Sequence, residues 1–127
     1  MTGNDYQFLA MRTNDGKSSV RLGEKVYDEV QDGAIDFGGL LNGCLGLSGE
    51  AGEFNDMVKK WVFHEKELDV EHLKKELGDC MWYVAMICES MGWQLDDVMR
   101  MNVDKLKARY PEGFDVDLAN HRKEGDV

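Results

Sequence analysis

Proline is nearly missing from this chain: Pro111 is the single one among 127 residues. With 43% apolar residues beside it, that scarcity argues against an intrinsically disordered protein. No run approaches the ~20 consecutive apolar residues that a membrane span requires. The opening MTGNDYQFLAMRT is polar and carries an acid, unlike a signal peptide, so a cytoplasmic protein with no membrane partner is expected. Cysteine is sparse: Cys44, Cys80 and Cys88 form no Cys-x-x-Cys and no paired spacing. They read as reduced, half-buried side chains rather than as a zinc site or a nucleophile. Basic residues are outnumbered, 15 Lys and Arg against 25 Asp and Glu, for a net charge of −10. Electrostatically driven binding to a nucleic acid polymer needs clustered positive charge, so the balance argues against such a partner. A phosphorylated small molecule is not excluded, because bound divalent cations reverse the local sign.

What remains is helical. Eight Met and abundant Leu, Val, Lys and Glu suit helices better than strands, and the length suits one domain with a modest core. No internal repeat interrupts it. Tyr6 to Thr13 reads as a short helix, and Leu22, Val26 and Val30 place a second over Arg21 to Asp32. Gly33, Gly38 and Gly39 mark a break. A long helix is predicted from about Leu40 to His64, with Leu41, Cys44, Leu45, Ser48, Ala51, Phe54, Val58 and Val62 as its apolar stripe. Gly43, Gly46, Gly49 and Gly52 inside it each cost ~1 kcal/mol against Ala, which points to close approach of another helix or of a ligand. Asp69 is placed as the N-cap of a second long helix that Gly92 ends. A last helix begins at Asp96 or Asp97 and reaches Tyr110, and residues 115–127 are expected to be extended or mobile.

Two pairs of acids stand out on the long helices. Glu50 with Glu53, and Glu76 with Asp79, are each three residues apart, which puts both members on one helical face. The four positions average to 64.5, inside the polar stretch His64-Glu65-Lys66-Glu67. A hairpin turning there brings both pairs to one height, and four carboxylates at one height repel unless a cation joins them. Hard oxygen ligands suit Mg²⁺ or Mn²⁺. A di-iron carboxylate bundle carries Glu-x-x-His instead, which neither pair has. On the last helix Asn102, Lys105 and Arg109 share a face that can grip phosphate oxygens, with Lys60 as a further candidate. Trp82 and Tyr83 flank the acids and can stack on a base or serve as core.

The stretches GLSGEAGEFNDMVKKW, KELGDCMWYVA and NVDKLKARYPEGF together resemble the MazG-like all-α nucleoside triphosphate pyrophosphohydrolases, in particular their short single-domain members. Glu-x-x-Glu, a spacer and Glu-x-x-Asp are that family's signature. The likeness runs from Tyr6 nearly to the end. Lys17 to Asp36 departs from it, being longer and more polar than the usual link, and it bears on which base is preferred. The resemblance implies an all-α helical hairpin with extra helices, completed into a four-helix-type bundle by assembly as a homodimer or homotetramer. It implies Mg²⁺-dependent hydrolysis, with Mn²⁺ as a substitute, of a nucleoside triphosphate between the α and β phosphates. Glu50, Glu53, Glu76 and Asp79 would hold metal and carry the chemistry, one of them as base. Lys60, Trp82, Tyr83, Asn102, Lys105 and Arg109 would bind substrate. A nucleotide-binding module with little hydrolysis and a purely structural helical dimer are the competing classes.

Overall fold

The computed structural model describes all 127 residues and contains six helices and no strand: α1 (Gly3–Met11), α2 (Ser18–Asp32), α3 (Phe37–Phe63), α4 (Val70–Met91), α5 (Leu95–Arg109) and α6 (Val116–Asn120). The chain is all-α, as the composition predicts.

Side-chain caps set several of the boundaries. Asp36 caps α3 by accepting from the Gly39 N–H at 3.0 Å, and Asp69 caps α4 by accepting from the His72 N–H at 2.9 Å. Gly33 and Gly92, both left-handed, end α2 and α4. Helix α1 opens with a reciprocal capping box between Thr2 and Asp5, which starts it three residues before Tyr6. The expectation for the tail is corrected. Asp115 accepts from the Leu118 N–H and caps a short helix, and Arg109 then grips Asp126 through two hydrogen bonds of 2.8 and 2.6 Å.

The centre of the fold is an antiparallel α3–α4 hairpin. Positions opposite one another run in opposite senses: Gly39 faces Ser90, Gly43 faces Ile87, and Gly46 faces Tyr83. The hairpin turns within residues 64–69, which include the stretch His64-Glu65-Lys66-Glu67 predicted from the spacing of the acids. A backbone bond of 2.8 Å from the Asp36 N–H to the Ser90 carbonyl closes its other end.

The stripe expected to form the inner face of α3 is corrected by this packing. Leu41, Cys44, Leu45 and Val62 are exposed, and the face toward α4 is the glycine one. A Cβ on Gly46 would collide with the Tyr83 ring, and one on Gly43 would come within 2.6 Å of Ile87 Cγ1. Close backbone approach therefore explains these two glycines. Gly49 and Gly52 meet nothing, so packing does not explain them. Opposite signs follow. Gly46→Ala is expected to destabilise by roughly 1–3 kcal/mol through overpacking. Gly49→Ala is expected to stabilise by roughly 0.5–1 kcal/mol through helix propensity. Urea midpoints of the two variants check this, and equal shifts would contradict the packing.

Little of the chain is covered. Only Gly39, Gly43, Glu76, Cys88 and Ser90 are buried, and the accessible surface is 10509 Å². Helix α2 leans on α3 yet leaves Leu22, Val26, Tyr27 and Val30 exposed. On α5, Val98, Met99, Met101, Val103 and Leu106 all face outward. No helix is long and apolar enough to cross a membrane.

Candidate metal centre

The hairpin brings three of the four predicted carboxylates together. One oxygen each from Glu50, Glu76 and Asp79 lies within 4.8 Å of the others. Glu53 stands beside this group, close enough to bear on Glu50, and lines the neighbouring cavity with Glu76.

The three carboxylates differ in surroundings. Asp79 is exposed, Glu50 half-buried and Glu76 buried at 9% exposure. The Oε1 of Glu76 is 2.7 Å from His72 Nε2, whereas its Oε2 is buried with no hydrogen-bond partner. A buried carboxylate oxygen without a partner is costly, and native structures rarely leave one. The Glu50 carboxyl is pushed up to about 7 from an ordinary 4.5. Desolvation is the first cause; the charge of Glu53, shared hydrogen bonding with Glu53 and Glu76, and the charge of Asp79 follow. Oxygen-only donors, an orphaned buried oxygen and mutual repulsion fit a hard divalent cation.

The cluster gives metal-free stability a definite pH dependence. Native Glu50 keeps a proton up to about pH 7 that the unfolded chain releases near 4.5. Between those values the native state binds more protons, so stability is full at the acid end and falls as pH rises through about 7. The lowered carboxyls of Asp5, Asp15, Asp56 and Asp126 act below 3.8, outside that window. In EDTA the melting temperature is therefore expected to fall from about pH 5 to about pH 8, and Mg²⁺ to restore it most at the alkaline end. Glu50→Gln should flatten the profile. A rise with pH across this window in EDTA would contradict the repulsion.

Two cavities border the acids. The larger, about 780 Å³, lies toward the turn and is lined among others by Gly49, Gly52, Glu53, Lys60, His72 and Glu76. Here the two unpacked glycines acquire a role, since they keep it open. Lys60 pairs with Asp56 at 2.6 Å on its wall. The smaller, about 360 Å³, is lined by Glu50, Asp79, Trp82 and Tyr83. Tyr83 is held by Gly46, while Trp82 is 59% exposed and meets the Tyr83 ring edge-on at 5.0 Å.

The predicted basic face lies elsewhere in the single chain. Neither cavity that borders the acids includes a residue of α5. Asn102 is exposed on α5. Lys105 and Arg109 line a separate cavity of about 390 Å³ with His121, Arg122, Lys123 and Asp126. There Asp126 holds the Arg109 guanidinium, raising it further above its ordinary value. His72 belongs to neither acid pair, yet it contacts Glu76, and the i, i+4 spacing between them is visible in the sequence.

Comparison with known proteins agrees with the geometry. The MazG nucleotide pyrophosphohydrolase domain matches residues 41–114, which include both acid pairs and all of α5. The chain is also similar to the Gene 37 protein of Mycobacterium phage L5, with 38% identity over 80 residues, 59% of this chain and 69% of that protein. No solved structure matches. A helical hairpin with converging carboxylates, inside a match covering more than half of the sequence, places this chain in the MazG nucleotide pyrophosphohydrolase family.

Proposed function

We propose that this protein hydrolyses a nucleoside triphosphate, a deoxy or non-canonical one included, between its α and β phosphates, with Mg²⁺ as its cation and Mn²⁺ as a substitute. The observation that carries the proposal is the convergence of Glu50, Glu76 and Asp79 beside an unpartnered, buried Glu76 Oε2. Glu50, Glu76 and Asp79 would hold the cation, with Glu53 beside them. When bound, it supplies positive charge against the triphosphate and makes water easier to deprotonate.

The residues of this chain do the rest. One carboxylate oxygen of the four accepts the proton of the water that attacks phosphorus, and the bond to the bridging oxygen breaks to give monophosphate and pyrophosphate. Trp82, whose ring is largely free, and Tyr83 offer a stacking surface for the base at the small cavity. Lys60 reaches the phosphate side from the large cavity. Asn102, Lys105 and Arg109 would grip phosphate oxygens, Arg109 by exchanging the Asp126 carboxylate for one of them.

Assembly is part of the proposal. The outward apolar faces of α3 and α5 support a homodimer or homotetramer in which a further copy brings its basic α5 face to the acids. The free thiols of Cys44, Cys80 and Cys88 suit a cytoplasmic setting.

A Mg²⁺-dependent pyrophosphate-release screen across standard and modified nucleoside triphosphates tests the activity. Release from at least one triphosphate, abolished by EDTA, is the expected result. Nucleotide binding that raises the melting temperature without release would favour a regulatory binding module.

A further inference from the structure

Glu76 is the only buried carboxylate in the chain, and its two oxygens are treated differently. Oε1 is engaged by His72 Nε2 at 2.7 Å; Oε2 has no partner. The pairing is built into the start of α4. Asp69 accepts from the His72 N–H at 2.9 Å, which fixes the first turn, and one turn later the i, i+4 spacing brings Glu76 under the imidazole. For Nε2 to donate to a carboxylate, the ring carries its proton on Nε2, leaving Nδ1 free. His72 itself is more than half exposed, so its own burial does not account for the contact. The immobilised partner is the carboxylate.

A carboxylate that can rotate offers a cation either oxygen, or both. One whose Oε1 is already hydrogen-bonded is kept from rotating, so that its unpartnered Oε2 is presented in a fixed direction. Outer partners of this kind orient metal ligands, and their loss typically costs 10–100-fold in affinity or activity. We propose that His72 is a positioning residue for Glu76: it holds Oε1 so that Oε2 is presented, as a single fixed ligand, to the cation shared with Glu50 and Asp79. The proposal rests on the metal reading of the carboxylate cluster. It adds a residue outside both acid pairs, and it makes the rim of the large cavity, where His72 sits beside Glu53 and Glu76, part of the metal centre.

Mn²⁺ binding to the full chain, followed by calorimetry and by the electron paramagnetic resonance of free ion, tests it without reference to turnover. His72→Ala is expected to weaken Mn²⁺ binding by about 10–100-fold while leaving the circular dichroism unchanged. His72→Gln keeps a donor at the same spacing and is expected to restore affinity to within about threefold of wild type. At saturating Mn²⁺, kcat of the alanine variant should fall while KM for the nucleotide stays near its wild-type value. Equal Mn²⁺ affinity in wild type and His72→Ala would overturn the role of His72 and leave the metal centre standing. No Mn²⁺ uptake by wild type would overturn both. A loss in His72→Ala that His72→Gln does not restore would also overturn the proposal, because a donor at that spacing would not then be what matters.

Discussion

Asp79→Asn is expected to abolish Mg²⁺-dependent pyrophosphate release while leaving the protein folded and, without metal, somewhat more stable. The two effects share one cause. Asp79 is the exposed member of the cluster, so its side chain packs against little. Its negative charge is one of the causes that push Glu50 up to about 7. The amide keeps the shape of the side chain, removes that repulsion and gives up an anionic oxygen ligand. Losing a direct ligand should cost more than the 10–100-fold typical of outer partners, so turnover is expected to fall by about two orders of magnitude or more. Excess Mg²⁺ should recover part of it. Pyrophosphate release and thermal melting in EDTA measure the two sides. Retained turnover would remove Asp79 from the metal centre; a large fall in metal-free stability would mean that it is structural. A stabilising substitution that abolishes function is what a strained site predicts.

The height of the acids and the packing of the hairpin differ in how well the sequence announced them. Glu-x-x-Glu and Glu-x-x-Asp foretold a hairpin turning at His64-Glu65-Lys66-Glu67, inside the observed turn of residues 64–69, and Asp69 and Gly92 marked the ends of α4. Both signals are local and chemical: spacing on a helix and capping side chains. The partner of each helical face was less visible. Leu41, Cys44 and Leu45 have the periodicity of a buried stripe, but the face that meets α4 is Gly39, Gly43 and Gly46. Periodicity says that a face needs covering, not whether the cover comes from the same chain. The glycines themselves divided into two roles, with Gly46 giving room to Tyr83 and Gly49 to a cavity; spacing alone could not separate them.

Short elements and polar second partners were the hardest to foresee. Helix α6 has five residues, too few for a periodic pattern, and its one local signal was Asp115 placed to cap it. The bond between Arg109 and Asp126 spans 17 positions, a separation at which charge alone predicts nothing. The basic face of α5 was legible as a face, whereas its position relative to the acids was not, because the two are not joined within one chain.

That separation leads to the second large effect expected: purified protein should be a stable oligomer, with no appreciable monomer at micromolar concentration. A compact monomer of 14.4 kDa exposes about 6,800 Å². This chain exposes 10509 Å², an excess of about 3,700 Å². A standard interface covers only about 800 Å² on each partner, so the excess is what large obligate interfaces absorb rather than what a transient contact does. The apolar residues left outside are arranged for it. Leu41, Leu45 and Val62 lie on one side of α3, and Val98, Met101 and Leu106 lie along α5. Covering such faces with further copies would remove the apolar exposure and could set the Arg109 face of one copy against the carboxylates of another. Light scattering coupled to size exclusion should therefore report a dimer or tetramer. Leu45→Glu, on a side chain 67% exposed in the single chain, should dissociate it and abolish activity together. A wild-type monomer that hydrolyses nucleotide at full rate would show that the site is complete in one chain, and that the exposed faces of α3 and α5 serve something other than self-assembly.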